Sequence, residues 1–288
     1  MTDGDGPVRS PLRYPGGKSR VAKLFADYMP RHAEYREIFF GGGAVFFHKA
    51  KAESSWLNDL HPGLYAFWVA LRDHYDAFAA LCEEQEGDLR ELFNYWASRR
   101  DLMTAHDDHA IVERAVQYFF INRTVWSGRV VYDPTRQSRL YFSNPQGWSR
   151  LDRRLAHLKR VSEKLQGTKI TCLPFEYCLD DALPGTFIYC DPPYMRDSLC
   201  SRTDKLYDKE FPVEAHELLA RLLAKSKARV MVSYDDCPET RKLYRSKRWR
   251  IEELKWKYCG RHAVSKEDKA RNIKEKKVLG NELLIMNY

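Results

Sequence analysis

The apolar residues of the chain form seven short runs that predict buried strands. They are rich in β-branched and aromatic residues, as the strands of α/β sheets tend to be, and they lie at 36–40, 55–58, 169–175, 186–190, 229–234, 249–258 and 282–287. Between several of them the apolar positions recur at helical spacing, at 19–28, 44–51, 151–165 and 213–225. This alternation predicts an α/β fold with a mostly parallel, doubly wound sheet. The last two runs are not separated by a clear helical pattern, so we expect one antiparallel strand.

The alternation is interrupted between the second and third runs. From Pro62 to about Asn122 helical periodicity dominates and no strand pattern is found. Turn signals and aromatic residues follow at 126–143 and predict a hairpin or a long loop. We therefore expect 61–164 to be an inserted, largely helical domain, which divides the sheet domain into 1–60 and 165–288.

Composition indicates an ordinary globular protein with a basic surface. The 288 residues are 44% hydrophobic and carry a formal net charge of +8. Residues 61–122 hold 5 Lys/Arg against 11 Asp/Glu, whereas 123–164 hold 10 against 3 and 261–277 hold 7 against 3. Such concentration of positive charge suits a surface that faces phosphates, although solvated basic loops would give the same count.

Several classes of protein are not indicated by the sequence. No apolar run approaches the roughly 20 residues of a membrane span, and residues 1–11 do not resemble a signal peptide. The seven cysteines include no C-x-x-C pair, so neither a disulfide framework nor a common metal site is predicted. We expect a cytoplasmic protein that binds no metal and no membrane.

The fourth apolar run ends in Asp191-Pro192-Pro193-Tyr194. Two consecutive prolines stop a strand and stiffen the turn after it. The Asp191 carboxylate and the prolyl carbonyls then form a fixed cluster of hydrogen-bond acceptors, with the ring of Tyr194 beside it. Such a cluster suits a flat group with an exocyclic amino group, such as adenine. A bare Asp-Pro-Pro triplet would more often be a simple turn.

The first apolar run leads into the three glycines Gly41-Gly42-Gly43. Glycines let the backbone turn tightly and let a ligand approach the N–H groups of a helix start. Asp59 follows Gly41 by 18 residues, where an acid would bind ribose hydroxyls. The pair indicates a ligand that contains adenosine. A nicotinamide dehydrogenase is an alternative, but Phe46 replaces the third glycine of that fingerprint.

The segment Tyr14-Pro15-Gly16-Gly17-Lys18-Ser19 mimics the end of a phosphate-binding P-loop. A P-loop requires an earlier glycine at the position of Leu12, and no strand precedes the segment, so we reject a nucleotide triphosphatase. Lys18 is instead predicted to supply a cation for a ligand carboxylate.

A basic and aromatic stretch follows the helical insertion. Arginines can bind phosphates or read guanine, and aromatic side chains can stack on bases or wedge between them. The candidate nucleic-acid contacts in this stretch are Asn122, Arg123, Trp126, Ser127, Arg129, Arg136 and Arg139. A solvated hairpin with a buried tryptophan is the alternative.

Taken in order, these motifs resemble the Dam-type (D12 class) DNA adenine-N6 methyltransferases. The resemblance covers Leu12 to Ile285 and rests on Tyr-Pro-Gly-Gly-Lys, Glu-x-Phe-x-Gly-x-Gly-x-Val-Phe, Asn-Asp, Asn-Arg, Asp-Pro-Pro-Tyr and a final Glu-Leu-Leu-Ile. It implies a Rossmann-like sheet of seven strands, one reversed, with 61–164 as the target-recognition domain. It also implies S-adenosylmethionine as cofactor. The cofactor contacts implied by the motif positions are Tyr14, Lys18, Glu37, Phe39, Gly41, Gly43, Asp59, Phe175 and Asp191.

The resemblance further implies a reaction on a base flipped out of duplex DNA. Asp191, Pro192, Pro193 and Tyr194 would be catalytic, with Tyr194 stacked on the adenine. GATC-specific members are expected to have a base-reading basic residue where this chain has Val131, although Arg129 could replace it. A monomeric enzyme and a cognate restriction endonuclease are left open. So are two other functions, methylation of RNA adenine and a catalytically silent DNA-binding module.

Overall fold

The computed structural model of the chain describes residues 8–104, 110–128, 130, 140–195, 211–257 and 279–288. Within these residues seven strands form one sheet. Their bounds are β1 Glu34–Glu37, β2 Ser54–Asn58, β3 Lys169–Thr171, β4 Thr186–Cys190, β5 Arg229–Asp235, β6 Arg250–Lys257 and β7 Leu279–Met286. The strand order is β3-β2-β1-β4-β5-β7-β6.

Only β7 runs against its neighbours. The other pairs, from β3 to β5, are parallel, whereas β7 lies between β5 and β6 and is antiparallel to both. Parallel neighbours need long crossovers, whereas the last two strands can pair antiparallel without a helix between them. The predicted fold, a seven-stranded, mostly parallel α/β sheet with one antiparallel strand, is confirmed.

The helices cover both faces of the sheet. In the described residues they are α1 Ala22–Tyr28, α2 Ala44–His48, α3 Pro62–Asp73, α4 Tyr75–Glu83, α5 Leu89–Ser98, α6 Arg100–Thr104, α7 Ile111–Thr124, α8 Leu151–Leu165, α9 Val213–Lys225 and α10 Pro238–Leu243. Short 3-10 helices lie at Trp126–Gly128, Pro145–Trp148 and Phe175–Cys178. None of the described helices has both the length and the apolar composition that a membrane span requires.

Strand β4 shows how the two cores are separated. Successive side chains of a strand point to opposite faces. Phe187 and Tyr189 pack into the core to which α1 to α8 contribute, whereas Ile188 and Cys190 pack into the core beneath α9. Every residue of β4 is buried, which explains why this run is apolar without alternation.

Helices from 61–164 share the first core with the sheet. Phe67 of α3 stacks on Phe119 of α7 with ring centroids 5.5 Å apart. Both rings belong to the same buried cluster as Tyr35 of β1 and Phe187 of β4. The function of 61–164 as a target-recognition domain stays a prediction.

Several predicted boundaries are wrong for local reasons. The first strand ends at Glu37 and not at residue 40, because the Phe40 carbonyl accepts a hydrogen bond from Gly43 N–H at 2.7 Å and closes a turn. The third strand ends at Thr171, because Leu173 N–H donates to the side chain of Asn58 at 2.9 Å. Phe175 therefore begins a 3-10 helix. The prediction that it ends the third strand is wrong.

The helical predictions differ from the structure in similar ways. The helix predicted at 19–28 begins at Ala22, after a turn in which Val21 N–H and Ala22 N–H bond to the carbonyl of Lys18. The helix predicted at 44–51 ends at His48. In the segment predicted as a hairpin or long loop, 126–143, residues 129 and 131–139 lie outside the described residues. The described part contains one antiparallel bridge, between Val125 and Phe142.

Gly147 packs directly on the backbone of α7, which gives a prediction for stability. A Cβ atom at this position would lie 1.7 Å from the carbonyl oxygen of Arg123. We expect Gly147→Ala to destabilise the protein by about 1–3 kcal/mol, the usual cost of overpacking, as measured by urea unfolding. Gly185→Ala is the matched control, since nothing lies within 4 Å of the added Cβ atom. Equal stability of the two variants would contradict this packing.

Candidate active site

The glycine turn and the Asp-Pro-Pro-Tyr motif follow two neighbouring strands. β1 lies between β2 and β4, and the strand order of the sheet reverses between β1 and β4. In open α/β sheets, ligands bind outside the carboxyl ends of the strands at such a point. Residues 41–43 follow β1, and 191–194 follow β4. The two motifs therefore meet at the edge where a ligand site is expected.

Asp59 holds the glycine turn. Its Oδ2 accepts a hydrogen bond from Gly41 N–H at 2.7 Å, and its Oδ1 accepts one from His61 N–H at 2.9 Å. Gly41 has a φ of +46° and Gly43 a φ of +67°, a conformation that glycine adopts without strain. The carboxylate expected to bind ribose is thus fixed beside the turn.

Tyr14 packs against the same turn. A Cβ atom at Gly41 would lie 2.7 Å from Cε1 of the Tyr14 ring. The absence of a side chain on the glycine is therefore what lets the segment that contains Lys18 approach β1. The two glycine motifs, far apart in sequence from Asp191, form one wall of the site.

Asp191 is held by two hydrogen-bond donors. Lys18 Nζ lies 2.7 Å from Oδ1 and 2.8 Å from Oδ2, and Ser233 Oγ donates to Oδ1 at 2.8 Å. Ser233 belongs to β5, and its Oγ also lies 2.9 Å from the hydroxyl of Tyr189. The Asp191 carboxylate is thereby oriented at the end of β4, with lone pairs left for a further donor.

Lys18 lies at the centre of a buried charged cluster. Its Nζ is 3.4 Å from Glu282 Oε1 and donates to the carbonyl of Gly16 at 3.2 Å. It also lies 4.9 Å from the centroid of the Tyr194 ring, a distance at which a cation and an aromatic face attract each other. The predicted cation for a ligand carboxylate is therefore already paired with two protein carboxylates.

Glu282 of this cluster and one further carboxyl group, that of Glu37, are both buried. Burial raises the pKa of Glu37 to about 8, although the hydroxyl of Tyr35 donates to its Oε2 at 2.7 Å. Burial raises the pKa of Glu282 to about 7, against the attraction of Lys18. The charge of the site therefore changes close to neutral pH.

Glu37→Gln should reveal this buried carboxyl group in the pH dependence of stability. The unfolded group ionises near its ordinary pKa of 4.5, and the folded group ionises only near 8. The wild type therefore loses stability as the pH rises through this window, whereas glutamine stays neutral. We expect the melting temperature of Glu37→Gln, relative to wild type, to rise between pH 5 and pH 9.

Glu34→Gln, in the same strand, is the control for that measurement. Burial tends to raise the pKa of Glu34, but hydrogen bonds from Arg36 and Thr186 outweigh it and hold the pKa below its usual value. This group is ionised throughout pH 5–9 in both states, so its variant should differ from wild type by a constant amount. A flat difference for Glu37→Gln as well would contradict the prediction.

A cavity of about 390 Å³ joins these features. All nine residues predicted to contact the cofactor line it: Tyr14, Lys18, Glu37, Phe39, Gly41, Gly43, Asp59, Phe175 and Asp191. Pro193 also lines the cavity, whereas Pro192 is buried. Tyr194 is not a lining residue, and its ring contacts Lys18. The structure thus brings the cofactor candidates and the Asp191 carboxylate into one cavity.

Sequence reasoning missed other residues at this cavity. Gln117 and Tyr118 of α7 and Phe211 before α9 line it, and Ser233 and Glu282 contact Asp191 and Lys18. Glu282 begins the Glu-Leu-Leu-Ile segment. A carboxylate within an otherwise apolar strand is the sequence signal that could have identified it as a site residue. The helical face of α7 carried no signal that distinguishes it from ordinary core packing.

The predicted DNA contacts occupy different environments. Asn122 is fully buried, and its amide bonds to the backbone of Arg13 and to the carbonyl of Gly128. Arg123 is half-buried, with Nε 3.4 Å from the carbonyl of Gly147, and Trp126 is 74% exposed. Ser127 follows Trp126 in the same 3-10 helix, and Arg129, Arg136 and Arg139 lie outside the described residues.

Comparison with known proteins supports one family. The model of the D12 class N6 adenine-specific DNA methyltransferases matches residues 14–259. The chain is 25% identical over 272 residues to the DNA N-6-adenine-methyltransferase of Escherichia phage P1, an alignment that covers 92% of this chain but only 34% of that protein. It is 25% identical over 244 residues to a DNA adenine methylase of Vibrio cholerae, with 82% and 85% of the two chains covered.

One further relative and one solved structure also show similarity to the chain. The type II methyltransferase M.MjaIII of Methanocaldococcus jannaschii is 25% identical over 207 residues, which cover 65% of this chain and 69% of that protein. A solved rRNA methyltransferase from Streptomyces viridochromogenes aligns with 95% of this chain and 86% of its own, at 13% identity and a TM-score of 0.38. The family match spans most of the chain, and the chain therefore belongs to the D12 class N6 adenine-specific DNA methyltransferases.

Proposed function

We propose that this chain transfers a methyl group from S-adenosylmethionine to N6 of an adenine flipped out of double-stranded DNA. The observation that carries the proposal is the meeting of Asp191 and the glycine turn in one cavity. The family supports the reaction, and we infer the duplex, the cofactor and the flipped base for this chain.

The residues of the cavity fit this cofactor. Asp59 offers carboxylate oxygens to ribose hydroxyls, and the rings of Phe39 and Phe175, 5.8 Å apart, offer apolar faces to its adenine. Glu37, Tyr14 and the backbone of the glycine turn complete the wall. When bound, S-adenosylmethionine supplies an electrophilic methyl group on a sulfonium.

Asp191 has the central catalytic role in this proposal. Its carboxylate and the Pro192 carbonyl accept hydrogen bonds from the N6 amino group, which raises the electron density on a nitrogen whose lone pair is otherwise drawn into the ring. N6 would gain the methyl group as the S–CH3 bond of the sulfonium breaks, the neutral thioether S-adenosylhomocysteine would leave, and the proton lost from N6 would pass to water. Lys18 and Ser233 fix the carboxylate, so the site contributes positioning and polar preorganisation.

The remaining residues receive the DNA. Trp126, the most exposed aromatic side chain in the described residues, is suited to stack on bases or to wedge between them. Asn122 positions the segment, and Tyr194 closes the base site, where its ring is backed by Lys18. We also assign 61–164 to target recognition and place the enzyme in the cytoplasm, which fits the five free cysteines of the described residues.

The test is methyl transfer from labelled S-adenosylmethionine to duplex DNA, single-stranded RNA and duplex RNA of matched sequence. We expect incorporation only into DNA, as N6-methyladenine after digestion to nucleosides. Incorporation only into RNA, or into cytosine, would overturn the proposal. Mapping the modified positions in the DNA of an expression host would then give the target sequence.

A further inference from the structure

A second cavity, of about 280 Å³, lies at the start of α8. Its floor is apolar and includes Phe119 and Leu158, and its rim carries Arg150, Arg153 and Arg154 together with His157. Arg153, Arg154 and His157 recur at helical spacing and project from one face of α8, and Arg150 is the residue that directly precedes this helix. An apolar floor with a cationic rim is not needed for packing.

Two more arginines, Arg13 and Arg123, do not line the cavity but lie close enough to the rim for their charges to repel that of Arg154 or each other. Burial lowers the pKa of Arg123 to about 10, with further repulsion from Arg154 and Arg13. Burial also lowers the pKa of Arg154, and Arg13 again adds to the effect. We call the group of Arg13, Arg123, Arg150, Arg153 and Arg154 the arginine cleft.

Within the described part of the chain, no carboxylate lies within 4.0 Å of any guanidinium of the arginine cleft. Three of these guanidinium groups donate to backbone carbonyls: Arg13 to Val125, Arg123 to Gly147 and Arg154 to Ser149. Like charges that are close and partly buried disfavour one another. Among the described residues these like charges have no counter-anion beside them, and this is an environment that a bound phosphate would stabilise.

The arginine cleft adjoins the active site. Pro11 lines the second cavity, and the next residue, Leu12, lines the active-site cavity together with Tyr14. Asn122 bonds to the backbone of Arg13 and to the carbonyl of Gly128, which also lines the active-site cavity. A polyanion held in the cleft would therefore continue to the mouth of the active site.

We propose that the arginine cleft binds consecutive phosphates of the DNA strand that carries the target adenine. This inference rests on the proposed function. A guanidinium presents a planar fork of donors that matches phosphate oxygens, and the apolar floor receives the carbons of deoxyribose. None of Arg13, Arg150, Arg153 and Arg154 is among the contacts predicted from the sequence.

The experiment compares the salt dependence of DNA binding in two double variants. Each phosphate contact contributes about 0.9 to the slope of log K against log salt concentration. We expect Arg153→Ala/Arg154→Ala to make the slope shallower by about 2 and to weaken binding. The control is Arg221→Ala/Lys225→Ala, which removes the same charge from exposed positions of α9 on the opposite face of the sheet, and should keep the wild-type slope.

A second variant guards against misfolding. Arg153 is exposed and belongs to neither buried core cluster, so Arg153→Ala should leave the core intact and should change the slope by about 1. A wild-type slope in both Arg153 variants would overturn the inference. A second result would also overturn it: inorganic phosphate stabilises the wild type but not the variants, while the slope of DNA binding stays the same in all of them.

Different results would contradict the proposed function and this inference. If the unaltered chain methylates duplex DNA but the slopes do not change, only the arginine cleft is wrong. If the unaltered chain does not methylate duplex DNA, the proposed function itself is wrong, whatever the slopes.

Discussion

Replacement of Asp191 by asparagine is expected to lower the rate of methyl transfer by about 100- to 1,000-fold. Groups preorganised around a reacting centre have effects of this size. Both carboxylate oxygens of Asp191 accept from Lys18, and Oδ1 also accepts from Ser233. An asparagine amide must place an NH2 group against one of these donors. It therefore loses both the orientation of the side chain and an acceptor for the N6 amino group.

The measurement for Asp191→Asn is a single-turnover rate with saturating DNA and S-adenosylmethionine. The control is Asp180→Asn, which makes the same chemical change on an exposed side chain between β3 and β4. A rate within threefold of wild type for Asp191→Asn would refute the catalytic role of the carboxylate. A loss of rate in the control as well would point to a general effect of charge.

The second large effect is expected for the cofactor. Asp59→Asn should weaken the binding of S-adenosylmethionine by about 10- to 100-fold, since a hydrogen bond to a charged group contributes about 1.5–3 kcal/mol. Both oxygens of Asp59 accept from backbone N–H groups, those of Gly41 and His61. An asparagine has one side-chain oxygen and can accept from only one of these N–H groups. The substitution therefore weakens the hydrogen bonding of the glycine turn and also removes a carboxylate oxygen that could accept from the ribose.

Binding of S-adenosylmethionine by Asp59→Asn is measured by calorimetry, with Asp180→Asn again as the control. The expected split is a large loss of affinity with a smaller change of the methyl-transfer rate at saturating cofactor. Unchanged affinity would remove Asp59 from the cofactor site. A rate that falls as steeply as in Asp191→Asn at saturating cofactor would show that the turn, and not the ribose, depends on this residue.

The sequence predicted best the elements whose pattern is set by local burial. The β4 strand and the helices α8 and α9 have the predicted bounds, because an apolar run between turn residues and an amphipathic helix are both local signals. Phe175 was misplaced because the side chain of Asn58, which is distant in sequence, accepts a hydrogen bond from the backbone N–H of Leu173. This bond ends β3 early. That contact is not visible in the local pattern.

The candidate site divides in the same way. Motifs that combine glycine, proline and carboxylate, such as 41–43 and 191–194, are visible in the sequence because their backbone conformations restrict which residues can occupy them. Ser233 and Glu282 are ordinary members of their strands until the sheet brings β5 and β7 beside β4. The arginine cleft required the packing of α7, α8 and the segment before Tyr14, which no single pattern specifies.

The position of β7 has a consequence for biosynthesis. This strand inserts between β5 and β6 and brings Glu282 next to Lys18. A ribosome must therefore translate beyond residue 286 before the catalytic corner is complete, and until then β5 presents an unpaired edge to solvent. A nascent chain held at that stage lacks both the antiparallel neighbour of β5 and the carboxyl group beside Lys18, so activity should appear only when synthesis of the chain is nearly finished.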